Sequence, residues 1–401
     1  MKRFVLKIKT VIQLKKISDK KEVWKKPEKR VLVLFMPFIG DFLMYLDSIN
    51  VLVEKYHKEG YLVDAAILRQ NKSLVENYCA FDDILVFQQN EYVESKAYRN
   101  QLSSWMDEKK YEIAVNPYFD TLLDSDILAV LSKAPMRITA DREKYYNDKI
   151  AYVRNIMNHL NKNAYQKRIV CTEKIMDFRK QAYFLKEMGC SFQAHVSYLK
   201  PLLEDYKAPT EHYCVMAPGA SKTGKRWEPE KFAKVAEHIT EQYGLEVFIC
   251  GTPSEKAVAE EILSYVHAGK ERVHNYMGQC NMTEYIELIR HADVVVTNDS
   301  APVHIASSTG TRSVCIIGGW DYKRLIPYEV ETDAPGTVLP DYVYSAKMPC
   351  FNCFDVHVAN GNAQCAERIQ NRMAYPCISS IPVSDVIDKL DSIMKEEEHI
   401  L

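Results

Sequence analysis

Four short stretches of this chain hold residues whose types and spacing could do chemistry. Asn298-Asp299-Ser300 follows the apolar run Val294-Val295-Val296-Thr297, and Val303, His304, Ala306 and Ser307 then recur at helical spacing. A strand that opens straight into a helix leaves backbone N–H groups unpaired, which makes an anion site. A second stretch, Ala217 to Trp227 (APGASKTGKRW), is dense in small residues and cations. Gly219, Ala220 and Ser221 let backbone amides approach an oxyanion, and Lys225 adds a point charge. In the third, Cys250-Gly251-Thr252-Pro253-Ser254-Glu255, an acid stands at a helix start, where it can accept from ribose hydroxyls or cap the helix. Fourth, Asp41 ends the turn Met36-Pro37-Phe38-Ile39-Gly40-Asp41 after the strand Val31 to Phe35, a position open to ligands and equally suited to a helix cap or dipole partner.

Several familiar sites are excluded by spacing. Gly219 to Gly224 leads to Lys225, but Arg226 stands where a phosphate-binding P-loop needs Ser or Thr. No GxGxxG turn follows Val31 to Phe35, which argues against a dinucleotide site. Ser300 and His304 share one short helix without a G-x-S-x-G elbow, so a hydrolase triad is disfavoured.

These stretches need elements to position them. Apolar runs at Val63 to Leu68, Ile84 to Phe87 and Ile113 to Val115 alternate with helical patterns, of which the first carries the stripe Phe42, Leu46, Ile49, Leu52, Val53 and Tyr56 and stops at Gly60. The same grammar restarts with strands at Tyr213 to Ala217, Val247 to Cys250, Asp293 to Thr297 and Ser313 to Ile317. Between them, Ile138 to Lys200 reads as weakly capped helices, and the proline-bearing stretch Glu204 to Glu211 reads as a linker. An α/β protein of two domains facing each other across a cleft is the simplest architecture, and 401 residues suit it. We divide it into a basic extension (1–30), a first domain (31–205), a second domain with a cysteine-bearing tail (206–382) and a last helix (383–401).

Composition narrows the partners. A net charge of −2 with 47% hydrophobic residues excludes a nucleic-acid binder held by bulk charge. Residues 1–30 depart from that average, with a local charge of +9 and Phe4, Val5, Ile8, Val11 and Ile12 on one helical face. That pattern fits a helix on an anionic membrane surface through residues 1–17, or a solvated extension packed on the body. No apolar run reaches membrane-spanning length. Of eleven cysteines, seven are spread through the chain, mostly in apolar runs, as expected of reduced thiols in a cytosolic protein. The other four, Cys350-x2-Cys353-x11-Cys365-x11-Cys377, could hold a structural zinc ion or serve as thiols pinning a loop.

Together the motifs resemble glycosyltransferase family 9, the heptosyltransferase family. The resemblance rests on Ile39-Gly40-Asp41, on Pro218-Gly219-Ala220 with Lys225-Arg226-Trp227, and on Asp299-Ser300-Ala301-Pro302-Val303-His304-Ile305-Ala306, where Ala301 stands in place of the family's usual glycine. It covers residues 213–320 and the first strand and helix. It implies a GT-B fold, two Rossmann-like domains facing across a cleft, with a nucleotide-diphosphate sugar donor in the second and a glycan or glycolipid acceptor, such as lipopolysaccharide core, in the first. It further implies inverting transfer without a metal or other cofactor, at the inner face of the cytoplasmic membrane, and a last helix (383–401) that crosses back to the first domain. On that analogy Asp41 is the base, Lys225 and the helix start at Ser300 and Ala301 stabilise the departing diphosphate, and Glu255 holds the ribose. Gly219, Ala220, Ser221, Gly251, Asn298, Asp299 and His304 complete the donor site, His304 as a phosphate donor or a helix-packing group.

Two other classes share these features. A nucleotide-sugar epimerase of this fold would release free epimer without an acceptor, and a non-catalytic binding protein would keep the phosphate loops but lose the base.

Overall fold

Runs of Val, Ile and Leu with no polar alternation demand burial on both faces, which is the signature of parallel strands covered by helices. The computed structural model describes residues 9–10, 12–17, 20, 22–120, 122–141, 151–173, 175–330, 334–353 and 363–398. It divides into two compact units, Met1–Ala194 and His195–Leu401. Each is built on a six-stranded sheet in which every pairing is parallel.

The first sheet holds β1 (Glu28–Phe35), β2 (Leu62–Leu68), β3 (Asp83–Phe87), β4 (Tyr111–Asn116), β5 (Met136–Asp141) and β6 (Lys167–Val170). Its order is β3-β2-β1-β4-β5-β6, so the chain reverses direction of growth between β1 and β4. The crevice at the carboxyl ends of such a neighbouring pair is where open sheets of this kind bind ligands. Helix α1 (Ile39–Lys58) leaves β1, α2 (Leu123–Leu131) follows β4, and α3 (Asp177–Glu187) packs on α1. All six residues of the expected α1 stripe are buried.

The second sheet holds β7 (Tyr213–Ala217), β8 (Glu246–Ile249), β9 (Val273–Asn275), β10 (Val294–Asn298), β11 (Ser313–Ile316) and β12 (Asp341–Val343) in the order β12-β11-β10-β7-β8-β9. Here the reversal falls between β7 and β10. Helix α4 (Pro229–Tyr243) follows β7, α5 (Ala301–Thr309) follows β10, and α6 (Val383–Glu398) ends the described chain.

Three expectations change, and one pair of alternatives is narrowed. Residues 138–200 contain β5 and β6 as well as helices; β6 is only four residues (KRIV), half charged, at a sheet edge, where no two-sided burial marks it. The units part at Ala194 and His195 rather than near 205, because the intervening segment is bonded to the second unit: Leu199 N–H donates to Ser308 O at 2.8 Å and Leu202 N–H to Glu287 Oε1 at 2.9 Å. Helix α6, expected to cross back to the first domain, buries Val386, Leu390 and Ile393 in the second unit's core, and Asp391 accepts from Tyr243 at 2.6 Å. Finally, Leu14 and Ile17 are buried in the first core with Leu32, Leu34 and Met36, so this end of the basic extension packs on the body. Phe4, Val5, Ile8 and Val11 lie outside the described residues. No helix among the described residues is long and apolar enough to cross a membrane.

Candidate functional site

The second unit's switch point is held shut by one amide. Asn298, the last residue of β10, donates from Nδ2 to Pro218 O at 2.6 Å and accepts at Oδ1 from Trp227 N–H at 3.1 Å. It is wholly buried, and both ends of its side chain are engaged in joining the two ends of the loop after β7. Asn298, expected in the donor site, spends its side chain on fixing this loop. Trp227 is sealed beneath, its indole N–H donating to Ile381 O at 3.1 Å.

Within that loop Lys225 ends a single 3-10 turn (Thr223–Lys225), with its ammonium 2.5 Å from carboxylate oxygens of both Asp299 and Asp321. All three side chains are nearly buried, at 15%, 5% and 4% exposure, so a lysine expected to offer a loose charge to phosphate is already ion-paired. Burial, joined by the neighbouring Asp321 charge, outweighs Lys225 and pushes the Asp299 carboxyl up to about 7. For Asp321 burial also acts upward, but Lys225 and Arg324, 3.1 Å away, hold its carboxyl below the usual range. Asp321 escaped the sequence reading. Its signal was Gly318-Gly319-Trp320-Asp321 leaving β11, one strand from the switch point.

Glu255 closes the other wall. Its Oε2 accepts from Thr252 N–H at 3.0 Å and Thr252 Oγ1 at 2.8 Å in a capping box, while Oε1 accepts from Arg226 at 3.1 Å. The same guanidinium donates to Ala220 O through Nε (3.0 Å) and Nη2 (2.9 Å), so Arg226, noted in sequence only for breaking the P-loop pattern, ties the β7 loop to Glu255. A Cβ at Gly219 would lie 2.5 Å from Glu255 Oε1, and one at Gly251 would lie 3.0 Å from Oε2. A side chain at Gly219 would push the carboxylate aside, and one at Gly251 would crowd Met277 Sδ, 2.7 Å away, as well as Glu255. Ser221 is exposed on the rim.

Helix α5 begins beside these groups. Ser300 holds the N-cap position without capping through its side chain, Ala301 is half-buried, and Pro302 brings no N–H to the first turn. The side chain of His304 turns inward: Nδ1 meets the Tyr328 hydroxyl, and the rings stack at 5.8 Å. Burial, then Lys225, drives its imidazole down to about 3. His304 is therefore held as a neutral ring packed on Tyr328.

In the first unit, Asp41 sits in the first turn of α1 and Tyr118 in the loop after β4. The Tyr118 hydroxyl donates to Asp41 Oδ2 at 2.7 Å. Adjacent strands bring these residues to one switch point although 77 positions separate them. Tyr118 was not anticipated, since a lone tyrosine after a strand carries no motif.

The four tail cysteines lie near enough to one another for their thiols to interact. Among the described residues no group of three or more His, Cys, Asp or Glu is arranged to hold a metal ion. Cys377 Sγ instead accepts from Gly319 N–H at 3.5 Å and Cys353 N–H donates to Gly319 O at 3.1 Å, so both pin the β11 loop. Burial, then the neighbouring Cys377 and Cys350, pushes the Cys353 thiol up to about 11.

Comparison with known proteins places this geometry. A model of glycosyltransferase family 9 (heptosyltransferase) matches residues 99–342, more than half of the chain; Asp41 and the tail cysteines lie outside that span. Lipooligosaccharide heptosyltransferase 2 of Campylobacter jejuni is 22% identical over 315 residues, which cover 75% of this chain and 85% of the relative. Among solved structures, Escherichia coli ADP-heptose heptosyltransferase II superposes with a TM-score of 0.64 at 15% identity, over 92% of this chain and all of that one. Heptosyltransferase WaaC of E. coli, solved with ADP-2-deoxy-2-fluoro heptose, gives 0.53 at 16% identity, over 78% and 92% of the two chains. Two parallel six-stranded sheets in the arrangement of these structures agree with the GT-B fold expected. The chain belongs to glycosyltransferase family 9, the heptosyltransferase family.

Proposed function

We propose that this protein transfers a heptose from ADP-heptose to the core region of a lipopolysaccharide, inverting the anomeric centre and requiring no metal. The observation that carries the reading is the loop Pro218 to Trp227, stapled by Asn298 with Lys225 and Arg226 locked in place. It is a preformed set of cations and backbone donors at a strand-end crevice. Relatives named as lipooligosaccharide heptosyltransferases, and a fold neighbour solved with an ADP-heptose analogue, support the choice of donor and acceptor.

In this reading Asp41 takes the proton of an acceptor hydroxyl, whose oxygen forms the new bond to the anomeric carbon. The bond to the diphosphate breaks on the opposite face, and its electron pair leaves with ADP. An ammonium has three N–H donors; among the described residues Asp299 and Asp321 engage two of those of Lys225, and the third serves a diphosphate oxygen. The α5 amides at Ser300 and Ala301 add their dipole. Asp299 acts behind Lys225, while Gly219, Ala220, Ser221 and Gly251 line the donor. Glu255, oriented by Arg226 and Thr252, keeps lone pairs for a ribose hydroxyl. The basic N-terminal residues add contact with an anionic membrane surface at the cytoplasmic face, where such an acceptor is assembled.

Incubation with ADP-heptose and a heptose-accepting core oligosaccharide in EDTA, with the product linkage read by NMR, tests all of this. The expected product carries the anomeric configuration opposite to the donor. Retention, or activity only on adding a divalent ion, removes the mechanism; turnover with a different nucleotide sugar alone removes the donor.

A further inference from the structure

Tyr118 is held more firmly than a chance neighbour of Asp41 need be. Its ring is 5% exposed and packs edge-on against Tyr45, with centroids 5.2 Å apart at 66°. Its backbone N–H donates to Asn116 Oδ1 at 3.3 Å, and Asn116, itself buried, donates from Nδ2 to Thr139 Oγ1 on the next strand at 3.1 Å. The phenol is thus fixed from the β4 end, from β5 and from α1. Its hydroxyl has a single proton, which it gives to Asp41 Oδ2 at 2.7 Å.

We propose that Tyr118 is the positioning residue of the reaction: by donating to Oδ2 it holds the Asp41 carboxylate in one rotamer and orients it for proton abstraction. The proposal rests on Asp41 being the base. Burial, then the Asp41 and Asp120 charges, keeps the phenol well above its ordinary range, so it remains a donor at working pH. An aspartate side chain turns about two bonds, and a base displaced by about 1 Å loses on the order of a hundredfold in rate, so each bond that fixes the carboxylate matters.

The test uses full-length protein with ADP-heptose and core acceptor, comparing wild type, Tyr118→Phe, Asp41→Asn and the double variant. Tyr118→Phe keeps the ring and removes one oxygen. It should lower kcat about tenfold or more while leaving KM for ADP-heptose within about twofold. In the Asp41→Asn background the same change should cost nothing further, because the base it orients is gone. A merely structural tyrosine would lower both backgrounds by the same factor, and that result overturns the proposal, as does an unchanged kcat or a loss confined to KM. Full turnover by Asp41→Asn removes the base assignment itself and the positioning role with it. An inactive Asp41→Asn beside a fully active Tyr118→Phe removes the positioning role alone. Should Tyr118→Phe fail to fold, Asn116→Ser loosens the same loop without altering the phenol and must reproduce the kcat loss.

Discussion

Lys225 Nζ stands 2.5 Å from Asp321 Oδ2, a carboxylate 96 residues further along the chain. The pairing means that the cation of the β7 loop is oriented by β11 before any donor arrives. Removing a single member of such a buried cluster strands the others. Lys225→Met leaves Asp299 and Asp321 facing each other and should lower unfolding free energy by about 3 kcal/mol. Adding Asp321→Asn should restore part of that loss. Urea denaturation of the single and double variants reads both, and equal stability of Lys225→Met and wild type would contradict the pairing.

Asp41→Asn should lower turnover on the order of 10²- to 10⁴-fold, the usual worth of a general base. ADP should still raise the melting temperature of the variant as it does for wild type. Retained turnover would show that another group takes the proton.

Gly219→Ala tests the glycine requirement. The new Cβ meets Glu255 Oε1 at 2.5 Å, the far end of a flexible side chain, so the fold should lose less than about 1 kcal/mol. Displacing Glu255 breaks its bonds to Arg226 and Thr252, and affinity for ADP-heptose should fall about tenfold, equivalent to about 1.4 kcal/mol. Calorimetric titration showing wild-type affinity would separate Glu255 from donor binding.

Asp299 and His304 give opposite pH dependences. An unfolded aspartate titrates near 3.9 and Asp299 near 7, so the folded state binds the extra proton and stability falls as pH rises through that window. His304 titrates near 3 when folded against about 6.5 unfolded, so its contribution is full above 6.5 and is lost as pH falls toward 3. Between pH 4 and 6.5 the two slopes offset each other. Asp299→Asn should therefore lose stability on acidification below about 6.5, whereas His304→Gln should gain it. Denaturant midpoints measured from pH 4 to 7.5 check the signs, and parallel slopes in the two variants would refute the assignment.

Much of the fold was legible because burial on both faces writes itself into composition. Val31 to Phe35 and Val294 to Thr297 admit no other reading. Lys167–Val170, Val273–Asn275 and Asp341–Val343 are short and lie at sheet edges, where neighbouring strands supply the order that local sequence lacks. The site divided along similar lines. Lys225, Asp299 and Glu255 stand in motifs whose spacing is local, so they could be singled out. Asp321 and Tyr118 acquire their roles only from partners across the sheet, and no local pattern records such a meeting. For Asn298 and His304 the sequence located the residue but not the direction of its side chain, which packing decides.

The Asn298 staple also bears on how this protein could be altered. Because one buried amide grips both ends of the segment from Pro218 to Trp227, the strands are insulated from what lies between. Within that segment Lys225 is ion-paired and Gly224 lies against Tyr375, so the exposed positions Ser221, Lys222 and Thr223 are the ones open to exchange. Diversity confined to those three should leave the melting behaviour of the scaffold unchanged, whereas the same diversity placed at Asn298 would unfasten the whole loop.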